Sequence, residues 1–306
     1  GRRSKRNEFF LPKINFILET KASLVLLVKW TLISGLIALL AGSASALFLF
    51  ALEWATQTRL RNPVLIYGLP IAGFSVAWLY LYLGKNSEAG NNLVISEIHQ
   101  PTQYLPLRMA PFILVSTVVS HLFGASVGRE GTAVQMGAAL SDSISKVFRL
   151  NNSDRQIILM AGMSAGFASV FGTPLAGGIF ALEVLTVGTI RYQAAFPCVL
   201  AAVLANQVSS FLGVHHSHFS IPIIPEFSNW TLLALLISGL IFGWTARLFK
   251  ALTHLTAQLF KNNITYSPLR PFLGGLIIAG LLAVFDAQAY IGIGSSTIAE
   301  SFVKPL

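Results

Sequence analysis

The stretch Gly124-Ala125-Ser126-Val127-Gly128-Arg129-Glu130-Gly131-Thr132-Ala133-Val134-Gln135-Met136-Gly137 decides how this chain is read. It sets Arg129 beside Glu130 in a strongly apolar setting, with uncharged runs before it (Met109–Gly128) and after it (Gly131–Ser141). Charges at membrane depth are costly; they face a partner or a watery cavity and mark transport routes by default. Gly128 and Gly131 bracket the pair, so the backbone is expected to break there and a helix to begin near Glu130. The start of a helix offers unpaired N–H groups and the positive end of the dipole, a ready site for an anion. An acidic side chain at such a place can fill the site when no external anion does. The alternative is an ion pair that holds two helices together.

Composition settles the class. Of 306 residues, 54% are hydrophobic and 11% charged, against about 25% charged in soluble domains. This predicts an all-α integral membrane protein. Uncharged segments recur at Thr31–Leu52, Asn62–Gly84, Met109–Gly128, Gln156–Leu182, Tyr192–Pro225, Phe227–Ala246 and Pro271–Phe285. A span needs about 20 apolar residues, so several helices fit, some of them broken. No alternation of barrel type is visible, and helices satisfy the backbone within lipid. The net charge of +9 would point to nucleic acid in a soluble protein. Here Arg2, Arg3, Lys5, Arg6, Lys13, Lys21 and Lys29 concentrate it near the start. That placement predicts a cytoplasmic N-terminus and no nucleic-acid partner, with Arg59 and Arg61 arguing mildly the other way. Cys198 is alone, which excludes an intrachain disulfide. The chain opens on Gly1, so the natural start is expected to precede it, and no cleavable signal peptide is evident.

Along the chain, Trp30–Glu53 reads as the first spanning helix, and Pro63 opens a second segment that closes at Gly84. Lys85–Gly90 is a polar break. Gly90-Asn91-Asn92-Leu93-Val94 then reads either as a second helix start at membrane depth or as an interfacial loop with an Asn cap. Ser141–Arg155, polar and mixed in charge, reads as a solvent loop. Gly162 and Gly166 are spaced for close helix packing, and Gly172-Thr173-Pro174 divides the next apolar run into two helices. His215, His216 and His218 lie near a loop without acidic or cysteine companions, so no metal site and no cofactor are expected.

A faint internal repeat joins these pieces. Leu32–Ile37 and Leu236–Ile241 share the string LISGLI. At an offset of 201, Gly42, Leu47, Phe48, Pro70 and Gly73 meet Gly243, Leu248, Phe249, Pro271 and Gly274. Gly90 falls one residue from register with Gly292. The expected organisation is a basic segment (1–22), a first membrane half (23–214), then a linker and the opening of a second half (215–306). The counterpart of Gly128–Thr132 is expected beyond Leu306.

Broken helices meeting at a midplane site in two halves is a transporter architecture. The residues also resemble one family, the CLC chloride channels and anion/proton exchangers. Gly128-Arg129-Glu130-Gly131-Thr132 is similar to its glutamate signature, with Thr132 where proline is usual. The run Gly172–Glu183 (GTPLAGGIFALE) is similar to the helix after that site, and Gly90–Val94 to its first anion-binding motif, with Asn91 where serine is usual. Asn91 and Thr132 both resemble the fluoride-exporting branch, and Val184 stands where exchangers often carry an inner glutamate.

The resemblance implies an inverted-repeat fold with re-entrant helices, its second half incomplete here. It implies halide anions, fluoride or chloride, and protons as partners, in the lipid bilayer of a bacterial inner membrane. It further implies a homodimer with contacts in Pro174–Val187 and Gln193–Gly213. Anion-binding roles fall on Gly90, Asn91, Asn92, Gly128, Arg129, Gly131 and Thr132, and gating with proton transfer on Glu130. Fluoride/proton antiport leads; a chloride channel or chloride/proton exchanger is the alternative. An intramembrane enzyme would need a nucleophile–base pair or metal set that is not evident. A scaffold would need neither Glu130 nor Gly128.

Overall fold

The computed structural model describes residues 11–84, 87–184, 191–216, 226–285 and 290–303. Arg2, Arg3, Lys5, Arg6 and His218 lie outside them. The described residues contain helices and turns and no strand. Helix α1 (Leu11–Arg61) is longer than the predicted Trp30–Glu53. It ends where Asn62 leaves helical space (φ −130°, ψ 77°), because Pro63 crowds the residue before it. Its 51 residues span roughly 75 Å, well beyond the hydrocarbon thickness of a bilayer.

A 3-10 turn (Pro63–Gly68) then leads into α2 (Leu69–Leu79), which widens into a π-helical turn at Tyr80–Gly84. There follow α3 (Asn91–His99), α4 (Met109–Leu122) and α5 (Glu130–Val147). Next come α6 (Asn152–Phe171), α7 (Pro174–Glu183) and α8 (Ala195–Phe211). The last are α9 (Asn229–Asn263), α10 (Leu269–Val284) and α11 (Ser295–Val303).

Caps and breakers set these boundaries. The Asn151 side chain accepts the Asp154 N–H at 2.8 Å and starts α6. Gly172 (φ 71°) ends it by donating its N–H to Ala168 O at 2.8 Å. Pro174 opens α7 as its first residue. The predicted break at Gly172-Thr173-Pro174 is therefore present. The predicted solvent loop at Ser141–Arg155 is not. Ser141–Val147 completes α5 and Asn152–Arg155 opens α6, with Ser141, Asp142, Ser145 and Arg155 buried. Their polar side chains pair with one another and with backbone carbonyls, so they need no water.

The chain forms two compact units. The first comprises 1–51, 89–115 and 128–216. Its centre is the α5–α6 crossing, where a β-carbon on Gly137 or Gly166 would strike the Gly162 or Ala133 carbonyl. Small residues bring the two backbones together, as the Gly162/Gly166 spacing predicted. Around them Met136, Ile158, Leu159, Met160 and Met163 are buried. Ser164 Oγ donates to Cys198 O (2.8 Å) and ties α6 to α8, while Ser169 Oγ donates to Ser45 Oγ (2.7 Å) and ties α6 to α1.

The second unit comprises 52–88, 116–127 and 217–306. Here α2 crosses α10 near the repeat-related Pro70, Gly73 and Pro271, with Gly275 rather than Gly274 in the contact. A β-carbon on Gly73 would lie 3.1 Å from Pro271, and one on Gly275 2.8 Å from Pro70. The ring of Phe74 meets those of Tyr266 and Phe272 at 6.3 Å each. Helix α9 buries none of its residues.

The repeat is visible in the order of elements, with α1, α2 and α3 answered by α9, α10 and α11. Its register shifts before the third pair. Gly90 (φ 56°) directly precedes α3 and Gly294 (φ 70°) directly precedes α11. The counterpart of Gly90 is thus Gly294 and not Gly292. Gly292 (φ 79°) instead donates its N–H to Gly124 O at 3.2 Å.

Candidate anion site

Two helix N-termini face each other in the first unit. Helix α5 begins at Glu130 with Arg129 as its N-cap residue, and Arg129 makes no side-chain cap. Its backbone ladder includes Ala133 N–H to Arg129 O at 3.0 Å, and the N–H groups of Glu130 and Gly131 lie in its first turn. Helix α3 begins at Asn91 after Gly90, also without a side-chain cap. Gly90 O accepts from Leu93 N–H at 3.2 Å and Val94 N–H at 3.4 Å, leaving the N–H groups of Asn91 and Asn92 outside. Gly90 at φ 56°, ψ −128° is in a conformation that a side chain would strain.

Asn91 and Gln135 bridge the two starts. A β-carbon on Gly131 would lie 3.4 Å from Asn91 Nδ2 and 3.6 Å from Gln135 Nε2. One on Gly90 would lie 3.2 Å from Gln135 Nε2. Both glycines therefore leave room for amide side chains between the helix ends. The Glu130 carboxylate folds back beside Gly128, where a β-carbon would collide with Oε2. Thr132 is buried, whereas Asn92 and Glu130 are exposed. The Arg129 guanidinium turns to the Phe171 ring, 5.6 Å from its centre. Among the described residues Arg129 makes no ion pair, which leaves the alternative of a helix-joining Arg129 pair without support. The structure thus brings Gly90, Asn91 and Gly131 together and sets Glu130 on Gly128.

The other ends of these helices are closed by an ionic knot. Arg155 Nε donates to Asp142 Oδ1 (2.7 Å), Nη2 to Asp142 Oδ2 (2.8 Å) and Nη1 to Glu97 Oε2 (3.0 Å). Nη2 also donates to Gln103 O at 2.7 Å. The carboxylates accept further donors. Glu97 takes the Thr102 hydroxyl (2.7 Å) and the Thr102 and Gln103 N–H groups. Asp142 takes the Leu105 N–H (2.7 Å) and the Ser145 hydroxyl (2.7 Å). The Tyr104 ring lies 4.9 Å from the guanidinium carbon. Side-chain exposure is 4% for Arg155, 3% for Glu97 and 0% for Asp142. A buried charge set of this kind holds only when every member is satisfied. It joins α3, α5 and α6 and so fixes how the two N-termini meet.

Sequence reasoning missed Gln135, Glu97, Asp142 and Arg155. Gln135 carried a signal, since it lies four residues after Gly131 on the same helical face. The knot carried almost none. Its partners are 58 residues apart for Glu97–Arg155.

Residues 72–306 match the family model described as voltage gated chloride channel. A chloride/fluoride channel protein of Pseudomonas syringae pv. tomato is 55% identical over 284 residues, which is 91% of this chain and 63% of that protein. The chain thus spans under two thirds of that relative's length. An H+/Cl− exchange transporter of Vibrio cholerae is 35% identical over 162 residues, 51% of this chain and 34% of that protein. The crystal structure of a CLC-type fluoride/proton antiporter superposes with a TM-score of 0.86 at 34% identity, covering 92% of this chain and 71% of that one.

Proposed function

The chain belongs to the voltage gated chloride channel family, and we propose that it carries the first anion site of a fluoride/proton antiporter that exports fluoride. The observation that carries this reading is the pair of uncapped N-termini of α3 and α5, with Asn91 between them and Glu130 folded on Gly128. N–H groups of Asn91, Asn92 and Gly131 would hold the halide, with Gly90, Gly128, Arg129 and Thr132 shaping its path. A small, strongly hydrated fluoride must regain its lost water from firm hydrogen bonds. Glu130 as a carboxylate competes with the halide; protonated, it is neutral and leaves. One side chain is then both gate and proton carrier.

The names of the Pseudomonas relative and of the superposing antiporter support fluoride. Chloride transport is the second reading, favoured by the likeness to the Vibrio exchange transporter. The same reading has 23–214 as a first membrane half and 215–306 as the linker and opening of a second. It also has the N-terminus in the cytoplasm of a bacterial inner membrane and a homodimer through α7 and α8, where Leu175 and Ile179 are exposed. The deciding experiment is flux from liposomes holding the full-length protein. Glu130→Gln is expected to abolish anion-driven proton pumping whatever happens to passive anion flux. Pumping at the parent rate would remove Glu130 from the mechanism.

A further inference from the structure

We propose that Gln135 is a halide ligand and a determinant of anion selectivity, its side-chain amide donating to the anion held between α3 and α5. The proposal rests on the anion-transport reading above and adds a residue to its site. Gln135 lies on α5 one turn beyond Gly131, and its exposure is 8%. Its amide nitrogen sits where β-carbons on Gly90 and Gly131 would approach to 3.2 and 3.6 Å, so it is aimed at both helix starts. Among the described residues its side chain makes no hydrogen bond. The amide atoms keep some contact with solvent, and an anion that enters would replace that water at its N–H groups.

The surroundings define that acceptor. Both helix starts lack a side-chain cap, so backbone donors point into the same space. The other side chain there, Asn91, presents its Nδ2. Donors therefore converge on this space from two backbones and two amides. The fitting occupant is a small anion with no hydrogens of its own, and a halide meets that description. An amide pair adds directed donors without a fixed charge. This favours the halide that forms the firmest hydrogen bonds, namely fluoride.

The test uses full-length parent protein and Gln135→Leu, which keeps the volume and removes the donors. Fluoride and chloride efflux from liposomes are measured in parallel. The expected result is a fluoride-to-chloride ratio lowered about tenfold, the scale of one hydrogen bond to a charged group. An unchanged ratio in a variant that still transports overturns the role of Gln135 and leaves the transport reading standing. A parent protein that moves neither halide overturns the transport reading itself. Should Gln135→Leu fail to fold, Gln135→Met decides by the same measurement: a lowered fluoride-to-chloride ratio supports the role, and an unchanged ratio overturns it.

Discussion

The two ends of the α3–α5 pair treat polar groups in opposite ways. At the C-terminal ends, Glu97, Asp142 and Arg155 satisfy one another and draw in six further donors or acceptors from Thr102, Gln103, Leu105 and Ser145. At the N-terminal ends, backbone N–H groups and two amides converge, and neither helix is capped by its own side chain. The closed end carries full charges and the open end carries none but Glu130 and Arg129. Burying ions is tolerable only with complete pairing, whereas neutral donors can wait for a visiting anion at a smaller cost. The closed end is structural, and the open end is the one we propose for a ligand.

The largest effect is expected from breaking the closed end. Arg155→Leu leaves Glu97 and Asp142 buried without their cation, a loss of about 3–5 kcal/mol by the usual cost of a broken buried pair. Thermal unfolding in detergent measures it. A variant as stable as the parent would show that the knot does not hold α3 against α5.

A smaller effect is expected at the open end. Asn91→Ser exchanges an amide for a hydroxyl, and in full-length protein it should shift relative flux toward chloride several-fold, about the worth of one hydrogen bond. Unchanged selectivity would remove Asn91 from the donor set. Global stability should barely move, because nothing at this end depends on Asn91 for charge balance.

The smallest effect sharpens the contrast. Asn151→Ala removes the exposed cap that starts the helix bearing Arg155, whose own N–H reaches Asn151 O at 2.9 Å. A loss of about 1 kcal/mol is expected, with halide selectivity unaltered. A selectivity change from Asn151→Ala would mean that the closed end tunes the open end as well as anchoring it.

Much of this was legible beforehand, because the signals are local. Charges next to glycine in an apolar run placed the start of α5, and the amides beside Gly90 offered the start of α3 as one of two readings. Gly172 and Pro174 placed the break between α6 and α7, and Gly162 and Gly166 marked the close crossing. The reading failed where polarity was equated with solvent. Ser141–Arg155 has the composition of a loop, yet its charges turn inward to partners on other helices. The repeat slipped by a few residues at Gly294 for a related reason, since glycine-rich turns absorb insertions without leaving a pattern.

The sequence by itself determined that the chain is a helical membrane protein, where its helices break, and that Glu130 sits at a helix start. Capping, proline geometry and hydrophobic run length act over a few residues, so they are written in neighbouring letters. Only the tertiary structure decided that Arg155 reaches back to Glu97 and Asp142, and that Gln135 and Asn91 both come beside Gly131. Those contacts depend on which faces of separate helices meet. No periodicity along one helix records what lies against it on another.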